Sequence, residues 1–154
     1  MHDSVDYLLD EFQNLDNPVQ SNDKIFISFS KEKGEPYYVA LSNKLKEYNF
    51  EAINGFQDSS DEKEDLLRNV LSQIKDSSFY VGILTKEIEL EICDEEQNCF
   101  SPSIWTMEEK GMAFGLGKPF LLLIQKGIHK DFWRKTAPIE RLSLIHISEP
   151  TRPY

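Results

Sequence analysis

Trp105 and Glu109 stand four residues apart in the segment Ser103-Ile104-Trp105-Thr106-Met107-Glu108-Glu109. On a helix they share one face, with Ala113 a turn further along. That face presents an indole and a carboxylate together. A carboxylate so placed can offset positive charge developing on a reacting atom, and an aromatic face can stack a planar ring. Glu108 projects about 100° away on an ideal helix and reads as surface. Taken alone, a helical glutamate is ordinarily solvated and a tryptophan is often a core anchor, so the pair gains meaning only from its surroundings.

Four other residues are candidates for the same place. Phe29 and Ser30 end the first strand-like run, Asn54 opens the Asn54-Gly55 turn after the second, and Thr85 follows the third. In a parallel sheet all of them gather at the carboxyl edge, where ligands of open α/β sheets bind. Asn54-Gly55 also reads as plain turn chemistry, and Phe29 also reads as core.

The elements that must position these residues alternate regularly. Lys24-Ile25-Phe26-Ile27-Ser28-Phe29 is apolar, β-branched and aromatic over a strand's length. Tyr37, Val39-Ala40-Leu41, Leu45 and Tyr48 keep helical spacing, and Phe50 to Ile53 is a second strand. Leu66-Leu67, Val70-Leu71 and Ile74 trace another amphipathic helix. Ser78 to Leu84 is apolar almost throughout, as a strand covered on both faces should be. Glu87 to Phe100 reads as an acidic surface excursion. Ser101-Pro102 predicts a helix start, with serine as N-cap and proline at the first position, running to Gly115 or Leu116. Gly117-Lys118-Pro119 ends it, and Phe120 to Ile124 is the fourth strand. The order predicts an α/β fold, a central parallel sheet of four strands with helices on both faces.

Length and charge narrow the function. A chain of 154 residues fits one domain, and a formal charge of −10 argues against a nucleic-acid backbone as partner. No apolar run approaches the roughly 18 residues of a membrane helix. The acidic start, Met1 to Asp6, lacks the pattern of an export signal, so a cytoplasmic location with Cys93 and Cys99 as reduced thiols is expected. Those two cysteines have no histidine near them and do not make a zinc set. Residues 1–23 read as an amphipathic helix, with Val5, Leu8, Leu9, Phe12 and Leu15 on one stripe, followed by a linker. Residues 24–141 form the domain. Residues 142–154, Leu142 to Tyr154, resemble the translation of a transposase adapter used in sequencing libraries, and we expect them to be a foreign tail on a truncated domain.

Phe26-Ile27-Ser28-Phe29, Ser78 to Leu84 and Ser103-x-Trp105-x-x-x-Glu109 occur in an order that resembles TIR (Toll/interleukin-receptor) domains over about residues 24–125. The resemblance implies a flavodoxin-like TIR fold, natively of five strands, that self-associates through TIR–TIR contacts. It further implies cleavage of the nicotinamide–ribose bond of NAD+, as substrate with no separate cofactor, in prokaryotic defence or signalling. Glu109 then carries over as the catalytic residue, and Phe29, Ser30, Trp105, Asn54 and Thr85 as the substrate pocket. Breaking an N-glycosidic bond builds positive charge on the ribose, which is the physical reason for a carboxylate there. The chain departs from the TIR pattern in its longer stretch before the glutamate helix and in lacking a clear fifth strand and last helix.

A second resemblance rests on Glu109-x-Gly111-x-Ala113 followed by Gly117-Lys118-Pro119. It is similar to nucleoside deoxyribosyltransferase-like proteins, which use the corresponding glutamate as a nucleophile on a nucleoside. Against that family, the first strand runs into Ser28-Phe29-Ser30 and not into a Gly-Pro-containing loop. A third reading, a non-catalytic TIR adaptor, gives Glu109 no purpose.

Overall fold

Residues 4–57, 63–91, 99–132 and 142–143 are described in the computed structural model of the chain. Four strands form its centre: β1 (Lys24–Ser28), β2 (Glu51–Ile53), β3 (Phe79–Leu84) and, after two short strands, β6 (Phe120–Ile124). They pair in parallel in the order β2-β1-β3-β6. The two short strands, β4 (Ile88–Glu89) and β5 (Phe100–Ser101), make a separate antiparallel pair. The helices are α1 (Ser4–Gln13), α2 (Glu35–Glu47), α3 (Lys63–Asp76) and α4 (Ile104–Gly115).

Strand alternation sorts the side chains into two cores. Ile25, Ile27 and Phe29 of the β1 segment, with Phe79, Val81 and Ile83 of β3, face Leu41 and Leu45 of α2 and Val5, Leu8 and Phe12 of α1. Phe26, Tyr80, Leu84, Leu122 and Ile124 face the other way, against Val70 and Ile74 of α3 and Ala113 of α4. Both faces of the sheet are covered, as the apolar runs of β3 and β6 require. The N-terminal helix docks on this domain, because Leu8 and Phe12 are wholly buried in the first core.

Four details depart from expectation. The N-cap of α4 is Ser103, whose Oγ accepts from the Thr106 amide at 3.1 Å. Ser101 is drawn instead into β5, where its carbonyl accepts from the Glu87 amide at 3.0 Å. The excursion after β3 is therefore partly ordered as a two-stranded ribbon; its residues 92–98 lie outside the described set. Cys99 is disulfide-bonded, not the reduced thiol expected. At the far edge, β7 (Leu142–Ser143) pairs in parallel with β6. Two residues expected to belong to a foreign tail thus occupy a fifth-strand position; the remainder of 133–154 lies outside the described residues. Among the described residues, no helix is long and apolar enough to cross a membrane.

Candidate active site

The sheet reverses its order between β1 and β3, since β2 lies to one side of β1 and β6 beyond β3. Such a switch point opens a crevice at the carboxyl ends of the two strands. Helix α4 packs on the same face of the sheet as α3. Its Ser103 cap fixes where the helix starts, and the helical period then carries Trp105, Glu109 and Ala113 inward and leaves Glu108 exposed.

Glu109 is only 1% exposed. Its Oε1 accepts a hydrogen bond of 2.6 Å from Ser28 Oγ, at the last position of β1. Its Oε2 is buried and meets no hydrogen-bond donor among the described residues. Burial pushes the carboxyl up from 4.5 to about 7, against the opposing pull of the Ser28 hydrogen bond, and the charge of Glu108 adds a smaller upward push. Two ion pairs of the described residues, Lys44–Glu47 and His129–Asp131, lie elsewhere. A buried acid with one fixed oxygen and one free oxygen is poised to change its protonation near neutral pH.

The wall around Oε2 is shaped by a missing side chain. A Cβ on Gly55 would lie 2.5 Å from Glu109 Oε2 and 3.3 Å from the Trp105 ring. Only glycine lets the turn after β2 close over the carboxylate. Trp105 Nε1 and the Tyr80 hydroxyl are also buried without a hydrogen-bond partner among the described residues. Tyr80 stacks on Phe26, and its hydroxyl lies 3.3 Å from where a Cβ on Gly82 would stand, in register with Ser28. Burial holds this phenol well above its ordinary range, against the opposing pull of the nearby Ser28 hydroxyl and with a smaller upward push from the charge of Glu109, so it stays protonated.

The other expected residues divide. Trp105 adjoins Glu109 and meets Phe56 at 6.3 Å between ring centroids. Phe29 sits on the opposite face of the sheet, stacked on Tyr38 at 4.3 Å, and meets the site's Phe56 edge-on at 5.1 Å. Asn54 is committed to the turn, accepting from the Phe56 amide and donating to the Tyr38 hydroxyl, both at 2.8 Å. Ser30 and Thr85 approach each other to 3.2 Å across the crevice, and both donate to the Glu87 carboxylate. Sequence reasoning missed Ser28, Gly55, Tyr80 and Glu87. Ser28 was findable, because a period of two along β1 puts it on the face that receives α4.

No protein-family model and no curated protein sequence matches the chain. Among solved structures it is similar to a CMP N-glycosidase from Clostridium botulinum, with a TM-score of 0.50 and 16% identity over 79% of this chain and 84% of that one. A 2-deoxyribosyltransferase from Leishmania mexicana aligns with a TM-score of 0.49 and 17% identity over 66% of this chain, which spans 64% of the transferase's length. One from Bacillus psychrosaccharolyticus gives 0.47 and 19%, over 66% of this chain and 72% of that one. The TIR assignment is corrected. With it fall the NAD+ nucleosidase activity and the signalling and defence roles it implied. The strand and helix segments behind the resemblance are ones that any parallel sheet of this order supplies. They could not distinguish a TIR domain from an N-glycosidase.

Proposed function

We propose that this chain breaks the N-glycosidic bond of a nucleoside or nucleoside monophosphate, passing the sugar to water or to a second base. The observation that carries this reading is the buried Glu109, its Oε1 tethered to Ser28 and its Oε2 left without a donor among the described residues, beside Trp105 and Gly55. The spacing Glu109-x-Gly111-x-Ala113 with Gly117-Lys118-Pro119, similar to deoxyribosyltransferase-like proteins, supports it, as does the fold shared with an N-glycosidase.

In this mechanism ionised Glu109 attacks the anomeric carbon through Oε2. A sugar–carboxylate ester forms, the carbon–nitrogen bond breaks, and the base leaves with the electron pair and takes up a proton. Water or an incoming base then attacks the same carbon and frees Glu109. The tether from Ser28 fixes the carboxylate's direction before the substrate arrives, so little reorganisation remains for the transition state. Trp105 and Phe56 offer ring faces to the base.

The test is to incubate the protein with the common ribo- and deoxynucleosides and their 5′-monophosphates and to follow free base by chromatography. Base release by the wild type, its loss in Glu109→Gln, and a wild-type mass increase equal to one sugar residue are expected. Release that persists in Glu109→Gln, or no release across the panel, would overturn the reading.

A further inference from the structure

The crevice between β1 and β3 holds a second carboxylate that the mechanism above does not use. Glu87 lies three residues past β3, half-buried, and accepts hydrogen bonds from Ser30 Oγ and, at 2.7 Å, from Thr85 Oγ1. Each hydroxyl has one proton, and both are spent on Glu87. The carboxylate is thereby fixed across the switch point, at the end of the same strand that anchors Glu109. Ser28 ends β1 and Ser30 lies two residues beyond it, a step of about 7 Å where the chain is extended. That distance is about one furanose ring plus a hydrogen bond, so a sugar whose anomeric carbon meets Glu109 extends its far end toward Glu87.

Among the described residues, the backbone donors at that far end are already engaged. The start of α2 is the natural place to hold a phosphate, yet the amides of Lys33 and Gly34 already point at Ser30 Oγ, at 3.3 and 2.9 Å. The loop is too tight to admit a group between them, since a Cβ on Gly34 would lie 2.8 Å from the Ser30 backbone. Glu35 adds negative charge to the first turn of α2, and Lys31 and Lys33 are exposed to solvent, where salt screens them. A neutral hydroxymethyl group meets the opposite situation, because a fixed carboxylate is a strong acceptor for its proton.

We propose that Glu87, held by Ser30 and Thr85, is a specificity-determining residue that accepts a hydrogen bond from the free 5′-hydroxyl of the sugar and rejects its phosphate ester. The substrate is then an unphosphorylated nucleoside. This inference rests on the N-glycosidic reading above and narrows it.

The test compares kcat/KM for a nucleoside and its 5′-monophosphate in the wild type and in Glu87→Gln, which keeps the acceptor oxygen and removes the charge. The wild type should prefer the nucleoside by roughly tenfold or more, the scale of one like-charge encounter in a cleft. Glu87→Gln should bring the two substrates within about threefold of each other on the same grounds. Equal rates or preference for the monophosphate in the wild type, or a ratio unchanged by Glu87→Gln, would overturn the inference and leave the N-glycosidic activity standing. If neither substrate is turned over, the activity fails, and calorimetric titration of Glu109→Gln with the same two ligands decides the subsite separately. Tighter binding of the nucleoside supports it; tighter binding of the monophosphate, equal binding of the two, or binding of neither overturns it.

Discussion

Between the sheet and helices α1 and α2, the core is aliphatic and aromatic, with Phe12 set edge-on against Phe50 and Phe79 at 5.1 and 4.8 Å. Between the sheet and helices α3 and α4, the same strands present Ser28, Tyr80 and Gly82 to Trp105 and Glu109. All four buried side-chain polar atoms lacking a partner among the described residues belong to Gln73, Tyr80, Trp105 and Glu109, on α3, β3 and α4. One face holds the fold together; the other carries unsatisfied groups at a cost to stability. Buried polar groups without partners cost on the order of 1–3 kcal/mol each, and they persist where a ligand gives them something to do.

The comparison breaks most readily at Glu109. Glu109→Gln should lower turnover of a nucleoside by roughly 10³-fold or more, as removal of a nucleophile does. It should also stabilise the protein at alkaline pH. Glu109 is raised from 4.5 to about 7 in the folded state, so its favourable contribution is complete below about 4.5 and is lost as pH rises through about 7. The difference is about 3 kcal/mol. Melting curves at pH 5 and pH 8 should show the variant's advantage opening at the higher pH, and an unchanged difference would mean Glu109 is not a buried acid. Wild-type turnover should rise across the same window, because the nucleophile is the ionised form.

Phe12→Ala tests the other face. Its ring is buried in an apolar core, so the loss should be about 3–5 kcal/mol by denaturant titration. At a temperature where the variant stays folded, its pH–rate profile should match the wild type; a shifted midpoint would mean that the two faces are coupled. Gly55→Ala comes next. The added methyl forces Glu109 or the turn to move and should cost about 1–3 kcal/mol, with a fall in kcat larger than any rise in KM. Tyr80→Phe has the smallest expected effect and the opposite sign. Deleting a buried hydroxyl that meets no hydrogen-bond geometry among the described residues should stabilise by about 1 kcal/mol, and a loss of stability would show that the hydroxyl's approach to Ser28 has a role in the fold.

The apolar face was legible in the sequence because its residues repeat. Ile25, Ile27, Phe79, Val81, Leu121 and Leu123 alternate in runs of strand length, and Leu8 and Phe12 recur at helical steps. The site was legible only in part. Trp105 and Glu109 declare themselves by spacing, whereas Ser28 is one polar residue in an apolar run and looks merely tolerated. Glu87 was lost in an acidic stretch, since nothing local says that Ser30, 57 residues earlier, donates to it. Ser101-Pro102 satisfies the rules for a helix start better than Ser103 does, but pairing with Glu87 and Ile88 draws Ser101 into a ribbon of two-residue strands too short to leave a pattern. The family name failed for a related reason: strand and helix segments record the architecture, and the substrate is recorded in contacts between them.

The turn at Gly55 has a consequence for how this sequence can drift. Every other amino acid begins with the atom that collides with Glu109 Oε2, so no neutral path leads away from glycine at that position while the carboxylate stays where it is. Surface helices can be rewritten and cores repacked, but a wall made by the absence of an atom has no synonym. Among descendants that keep the chemistry, the glycine of the turn after the second strand should outlast residues that touch the substrate directly.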